Sequence, residues 1–206
     1  MNAARALALL RGLGVPLFTT VDASAALRGT VASASKTLAR LGSVGLVIAV
    51  SRGVWALDPN VDPFLLPDLL TAPALSYVSL QTALYRHGAI EQIPAAIYVV
   101  TLGRPLRRRT ALGTFSMHRI PPELFGGFEL TSSGTKLATV EKALVDVAYL
   151  SGSRGRLFAS LPELELPREF DRATARHWIA RIPNAHMRRS AEMRFDAWVR
   201  LATRRQ

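Results

Sequence analysis

The run KLATVEKALVDVAYL, Lys136 to Leu150, constrains the fold more than any other part of this chain. Thr139 is a good N-cap, and Val140, Ala143, Leu144, Val147 and Leu150 recur at the helical period as one apolar stripe. Lys142, Asp146 and Tyr149 share the opposite face, while Val145 and Ala148 also fall away from the main stripe. Apolar residues on several sides imply a helix covered on several sides, so Lys142 and Asp146 are expected in a partly buried setting. The plain reading of a lysine and a carboxylate four residues apart is a structural ion pair. Held in a covered site and joined by Glu141, the same pair is also a candidate for chemistry.

The sequence of 206 residues, 49% hydrophobic, suffices for a proper core in one domain or two small ones. Its formal net charge of +11 points to a polyanionic partner, with nucleic acid the first candidate. Nearly all of that charge is arginine; the lysines are Lys36, Lys136 and Lys142. The absence of cysteine excludes disulfides, thiol nucleophiles and thiolate zinc sites, and fits a cytoplasmic location. His87, His118, His177 and His186 lack the paired spacing of a helical metal site, so no metal centre is expected. The N-terminal run MNAARALALLRGLG is broken by Arg11 and reads as an ordinary first helix. No segment is long and apolar enough to predict a membrane span.

The expected fold class is α+β: an N-terminal winged helix-turn-helix followed by a mixed α/β domain with C-terminal helices. Residues 1–58 read as helix, helix, helix and hairpin. Ala3, Ala6, Leu7 and Leu10 form one apolar face, Thr20 caps a second helix that stops at Gly29, and Thr30 caps a third. In LVIAVSRGVWALD, two β-branched and aromatic runs flank Ser51, Arg52 and Gly53, the pattern of a hairpin with glycine at its turn. On the third helix Val31, Ala34, Leu38 and Leu41 face one side, and Ser33, Lys36, Thr37 and Arg40 the other. That outward set is small, polar and cationic, suited to a helix that enters a major groove; Arg52 at the hairpin tip is placed for a phosphate or the minor groove. A solvated polar face is the alternative.

Residues 59–75, with prolines among leucines, read as a linker that packs. Residues 76–206 read as a second, α/β domain. Ser79 caps a helix closed by Gly88, and strands are expected at Ala96 to Thr101, Gly113 to Ile120 and Phe128 to Thr131. Arg107, Arg108 and Arg109 fall between two of these strands and read as an exposed hairpin loop, a candidate contact for DNA, nucleotide phosphate or an acidic protein face. Helices are expected from Asp171 to Arg181 and from Ala185 to Ala202, the latter with surface pairs Arg188–Glu192 and Asp196–Arg200.

The winged-helix start, YVSLQTALYRHG at Tyr77 to Gly88, IYVVT at Ile97 to Thr101, HRI at His118 to Ile120 and LATVEKALVDVAYL together resemble the AbiEi-type antitoxin family. The match runs in order over most of the chain, and the size and arginine content resemble the mycobacterial branch. The resemblance implies an antitoxin that represses its own operon through operator DNA and neutralises a nucleotidyltransferase-fold toxin with its second domain. It places the recognition-helix role on Lys36, Thr37 and Arg40, and the family's acidic-basic helix signature on Glu141, Lys142 and Asp146. The chain ends soon after its C-terminal helices, which puts in question any dimer-building extension that larger members carry.

Two other functions compete. In the first, the second domain is an atypical serine/threonine protein kinase that inactivates the toxin covalently, by phosphoryl transfer from ATP with magnesium. Lys142 would then meet the phosphates, Asp146 and Glu141 would serve as magnesium or base carboxylates, and Arg107 to Arg109 would assist. No P-loop, glycine-rich kinase loop, HRD or DFG motif accompanies them. The third function is a plain winged-helix transcriptional regulator whose second domain senses a ligand.

Overall fold

The computed structural model describes residues 2–152, 161 and 163–203. The fold is mixed α and β. Its first part contains α1 (Ala3–Arg11), β1 (Leu17–Thr19), α2 (Thr20–Ala26), α3 (Val31–Ser43), β2 (Ile48–Ser51) and β3 (Val54–Ala56), with the strands in the order β1-β3-β2. Strand β1, too short to show a period, was not expected from the sequence. It also moves the cap of α2: Thr19, not Thr20, accepts the Asp22 N–H while the Asp22 carboxylate accepts the Thr19 N–H, a reciprocal box. Thr20 is left to accept from the Trp55 indole N–H at 3.0 Å. Ala6, Leu10, Phe18, Ala23, Ala34, Leu38, Leu41 and Val47 form the core of these helices.

The proline-rich segment holds a 3-10 turn (Pro63–Leu65) and α4 (Pro67–Thr71). Beyond it lie β4 (Ser76–Val78), α5 (Leu80–Arg86), β5 (Ile97–Thr101), β6 (Leu106–Thr110), β7 (Gly113–Arg119), β8 (Phe128–Leu130), β9 (Lys136–Ala138) and α6 (Val140–Leu150). Helices α7 (Arg172–Ala180) and α8 (Ala185–Thr203) follow. The strands make one mixed sheet in the order β6-β7-β5-β4-β9-β8. Pairs β5–β7 and β4–β9 are parallel, the others antiparallel.

Successive residues of a strand face opposite sides, and β5 separates two cores on that principle. Val100 joins the cluster built with α5, α6, α7 and α8. Val99 joins Phe115 and Met117 on the other face, where they pack with Leu17, Val50, Val54 and Ala56 of the first sheet and with Val61 and Leu66 of the proline-rich segment. That segment is therefore a wedge shared by both sheets. A backbone bond from the Ala111 N–H to the Val50 carbonyl, 3.1 Å, spans the same junction.

Arg107, Arg108 and Arg109 do not form a loop. They lie inside β6, an edge strand paired with β7 from Leu106↔Met117 to Thr110↔Gly113, because a tight turn at Ala111 and Leu112 draws the arginines into the ladder. Arg107 and Arg109 are exposed and Arg108 is half-buried, the alternation that a strand imposes. The expected i,i+4 pairs on α8 are replaced as well. Arg176 of α7 reaches both Glu192 (3.4 Å) and Asp196 (2.9 Å), clasping the two helices, while Arg188 donates to the Ile182 carbonyl. Among the described residues, no helix is long and apolar enough to cross a membrane.

Candidate functional site

Helix α6 begins where Thr139 Oγ1 accepts the Lys142 N–H, and its first turns carry the charged pair into the interior. Lys142 Nζ donates to Asp146 Oδ1, and both side chains are 0% exposed, a deeper burial than the sequence implied. The other carboxylate oxygen, Oδ2, accepts from Tyr77 Oη at 3.0 Å and from Ser79 Oγ at 2.8 Å. The ammonium also sits 5.4 Å from the Tyr77 ring centre and 5.2 Å from that of Trp178 on α7. Phe125 and Phe128 pack on Tyr77 at 5.2 and 5.1 Å between ring centres, closing the site with aromatic surface.

Removing two charges from water is costly, and Coulomb attraction offsets that cost only where the remaining donors and acceptors are satisfied. Here Asp146 is matched on both oxygens by three donors. Burial nevertheless lowers the Lys142 pKa below its ordinary value; Asp146 opposes the shift and the Arg181 charge reinforces it. The Tyr77 phenol is pushed well above its ordinary value, by burial first and by the Asp146 carboxylate second.

Two glycines fit the backbone to this pair. A Cβ on Gly127, which adopts φ +68°, would lie 2.8 Å from Lys142 Cγ, and one on Gly126 would lie 2.9 Å from Trp178 Cη2. The pair thus joins β4, α6, α7 and the loop before β8.

Glu141 is not part of this arrangement. It is half-buried and its Oε1 accepts the Asp171 N–H at 3.1 Å, at the entry to α7. A catalytic pair must touch its substrate, and Lys142 and Asp146 present no surface to a nucleotide. Among the described residues, no cluster of three or more His, Asp or Glu side chains able to hold a metal ion is assembled. The arginines of β6 stand on the edge of the sheet and Lys142 beneath its helices, so the geometry does not unite them.

Sequence reasoning missed Tyr77, Trp178 and Gly127, and misread Ser79. Ser79 makes no side-chain cap on α5 because its hydroxyl is committed to Asp146. The available signal was the spacing of Tyr77 and Ser79, two apart on extended backbone, which sends both hydroxyls to one side.

The residues expected to contact DNA lie on α3 and at the turn between β2 and β3. Thr30 caps α3 through the Ser33 N–H, while Ala34, Leu38 and Leu41 are buried. Ser33, Lys36 and Arg40 are exposed and Thr37 is half-buried on the outer side. Ser33 Oγ donates to the Thr30 carbonyl and Thr37 Oγ1 to the Ser33 carbonyl, leaving their lone pairs to accept from outside. Arg52 is exposed at the β2–β3 turn, next to Gly53 at φ +76°. That turn is held to α2 by the Thr20 N–H, which donates to the Gly53 carbonyl at 2.9 Å. The chain matches no model of a known protein family, and no curated protein matches it in sequence.

Proposed function

We propose that the chain is an antitoxin of the AbiEi type, which binds operator DNA through a winged helix-turn-helix in residues 1–58 and counters a nucleotidyltransferase-fold toxin through residues 76–206. The observation that carries this reading is the connectivity α1-β1-α2-α3-β2-β3 with strand order β1-β3-β2. In a winged helix of that order the third helix enters the major groove and the last hairpin is the wing. Lys36 and Arg40 then stand where phosphates and base edges are met, with Arg52 on the wing. Small neighbours at Ala32, Ser33 and Ala39, all exposed, leave room for close approach. Autorepression follows from an operator in the promoter of its own operon.

The enclosed Lys142–Asp146 pair supports neutralisation by contact or repression rather than by phosphoryl transfer, since it is buried within the second unit instead of facing a substrate.

Fluorescence anisotropy with a duplex spanning the promoter of its own gene tests the DNA arm. The wild type should prefer that duplex over a scrambled one, and Lys36→Ala with Arg40→Ala should remove the preference in a protein that keeps its circular dichroism spectrum. Growth rescue from the neighbouring toxin by the same variant tests the second arm and should persist. Absence of sequence preference in the wild type, or retention of it in the variant, would overturn the proposed DNA contact.

A further inference from the structure

The proline-rich wedge, the end of α5, the segment before β5 and the β6–β7 turn enclose an open cleft of ≈ 370 Å³. That volume lies within the range of small-molecule sites. Its walls are apolar, with Phe64, Tyr85, Ile93, Ile97 and Leu112 the large contributors. Ile93 is 73% exposed and Tyr85 37%, so much apolar surface meets water at the rim. Arg86 is the one charged residue among those lining it. Its guanidinium lies 5.1 Å from the Phe64 ring centre, and among the described residues no carboxylate is within ion-pairing distance of it. The hydroxyl of Thr82, also in the wall, is spent on the Ala96 carbonyl and the Tyr98 N–H. What the cleft offers is an apolar wall and one uncompensated cation.

We propose that this cleft binds a small amphipathic carboxylate, its ring or branched apolar body against Phe64, Ile97 and Leu112 and its anion on Arg86. A guanidinium braced on an aromatic face is pre-oriented for a carboxylate, and a lone cation beside apolar surface favours an anion carried on an apolar body. The inference is independent of the antitoxin reading. Phe64 belongs to the wedge between the sheets, and Leu112 adjoins Ala111, whose N–H bonds to Val50 across the junction. An occupant therefore contacts the wedge and the larger sheet beside the junction, and stabilises the fold by mass action.

The probe is 2-naphthoate, with 2-naphthamide as its neutral counterpart, measured on the full chain by titration calorimetry and thermal melting. Naphthoate should bind saturably, raise the melting temperature and exceed the amide. Arg86→Gln should weaken naphthoate about tenfold or more, the equivalent of one charge-assisted hydrogen bond, and leave the amide unchanged. Ala95→Trp, at an exposed position on the cleft wall, should abolish binding of both by filling the space. Both variants should melt like the wild type without probe. Lack of saturable naphthoate binding, equal affinity for the amide, or affinity untouched by both substitutions would each overturn the proposal.

Discussion

Gly127 is packed directly on the stem of Lys142: a Cβ at the glycine would lie 2.8 Å from the lysine Cγ. The same glycine accepts the Thr139 N–H on its carbonyl, so it also sets the start of α6. Gly127→Ala adds a left-handed backbone cost of about 1 kcal/mol and an overpacking cost of about 1–3 kcal/mol. Gly134 is the control, at φ +83° with open space around its would-be Cβ, so Gly134→Ala carries the backbone cost alone. Urea denaturation should rank Gly127→Ala well below Gly134→Ala. Equal losses would mean that the lysine stem yields freely.

The buried pair predicts strong non-additivity. Asp146→Ala leaves an ammonium buried without its counter-ion, and Lys142→Ala leaves a carboxylate so; each should cost about 3–5 kcal/mol. Replacing both by apolar residues of similar size, Lys142→Met with Asp146→Leu, removes both charges and should recover a large part of that loss. Tyr77 and Ser79 keep unfilled hydrogen-bonding needs in the double variant, so recovery is incomplete. The measurement is a double-mutant cycle on unfolding free energy, and additive losses would refute tight coupling of the two charges.

Tyr77 predicts an alkaline limb of instability. Its phenol is raised in the folded protein, chiefly by burial, while in the unfolded chain it ionises at about pH 10. Above about pH 10 only the unfolded state gains by ionising, so this contribution to stability is present below that pH and is lost as pH rises toward the folded value. Lys142, lowered by burial, has the opposite sign: stability rises as pH climbs toward its unfolded value of about 10.4. Tyr77→Phe isolates the first effect. The variant should be about 1.5–3 kcal/mol less stable near pH 8, having lost a hydrogen bond to a charged acceptor. The gap should narrow above about pH 10. A constant gap across that range would show that the phenol is not held neutral.

What could be read along the chain was local. Thr139, Thr30, the apolar stripe of α6 and that of α3, apart from the exposed Val31, emerge from spacing alone, because capping and helical burial depend on neighbours within a few residues. The arginines of β6 were misread because charge suggested a loop, whereas a sheet edge tolerates charged side chains on a regular strand. Arg176 replaced the expected pairs on α8 because a neighbouring helix offered a better-placed cation for both carboxylates. The partners of Asp146 lay furthest from view. Tyr77 and Ser79 precede it by 69 and 67 residues, and only the parallel pairing of β4 with β9 brings them beneath α6. The sequence could name the lysine and carboxylate, but their enclosure depends on Trp178 and Gly127, supplied from distant parts of the chain.

Under the proposed antitoxin function, the same enclosure makes a prediction about the toxin which that function requires. Phosphoryl transfer requires cations and carboxylates in contact with nucleotide and acceptor hydroxyl. Lys142 and Asp146 are 0% exposed, and Glu141 is bonded to the backbone at the start of α7. Incubating the purified toxin with this protein, ATP and magnesium should therefore leave the toxin's intact mass unchanged, whether or not toxicity is suppressed. Lys142→Met should lower the protein's melting temperature, and any loss of neutralisation should follow the fraction unfolded, reversing when the assay is cooled. A phosphoryl gain on the toxin that disappears in Lys142→Met at a temperature where the variant is fully folded would establish catalysis, and would require α6 to open toward solvent during turnover.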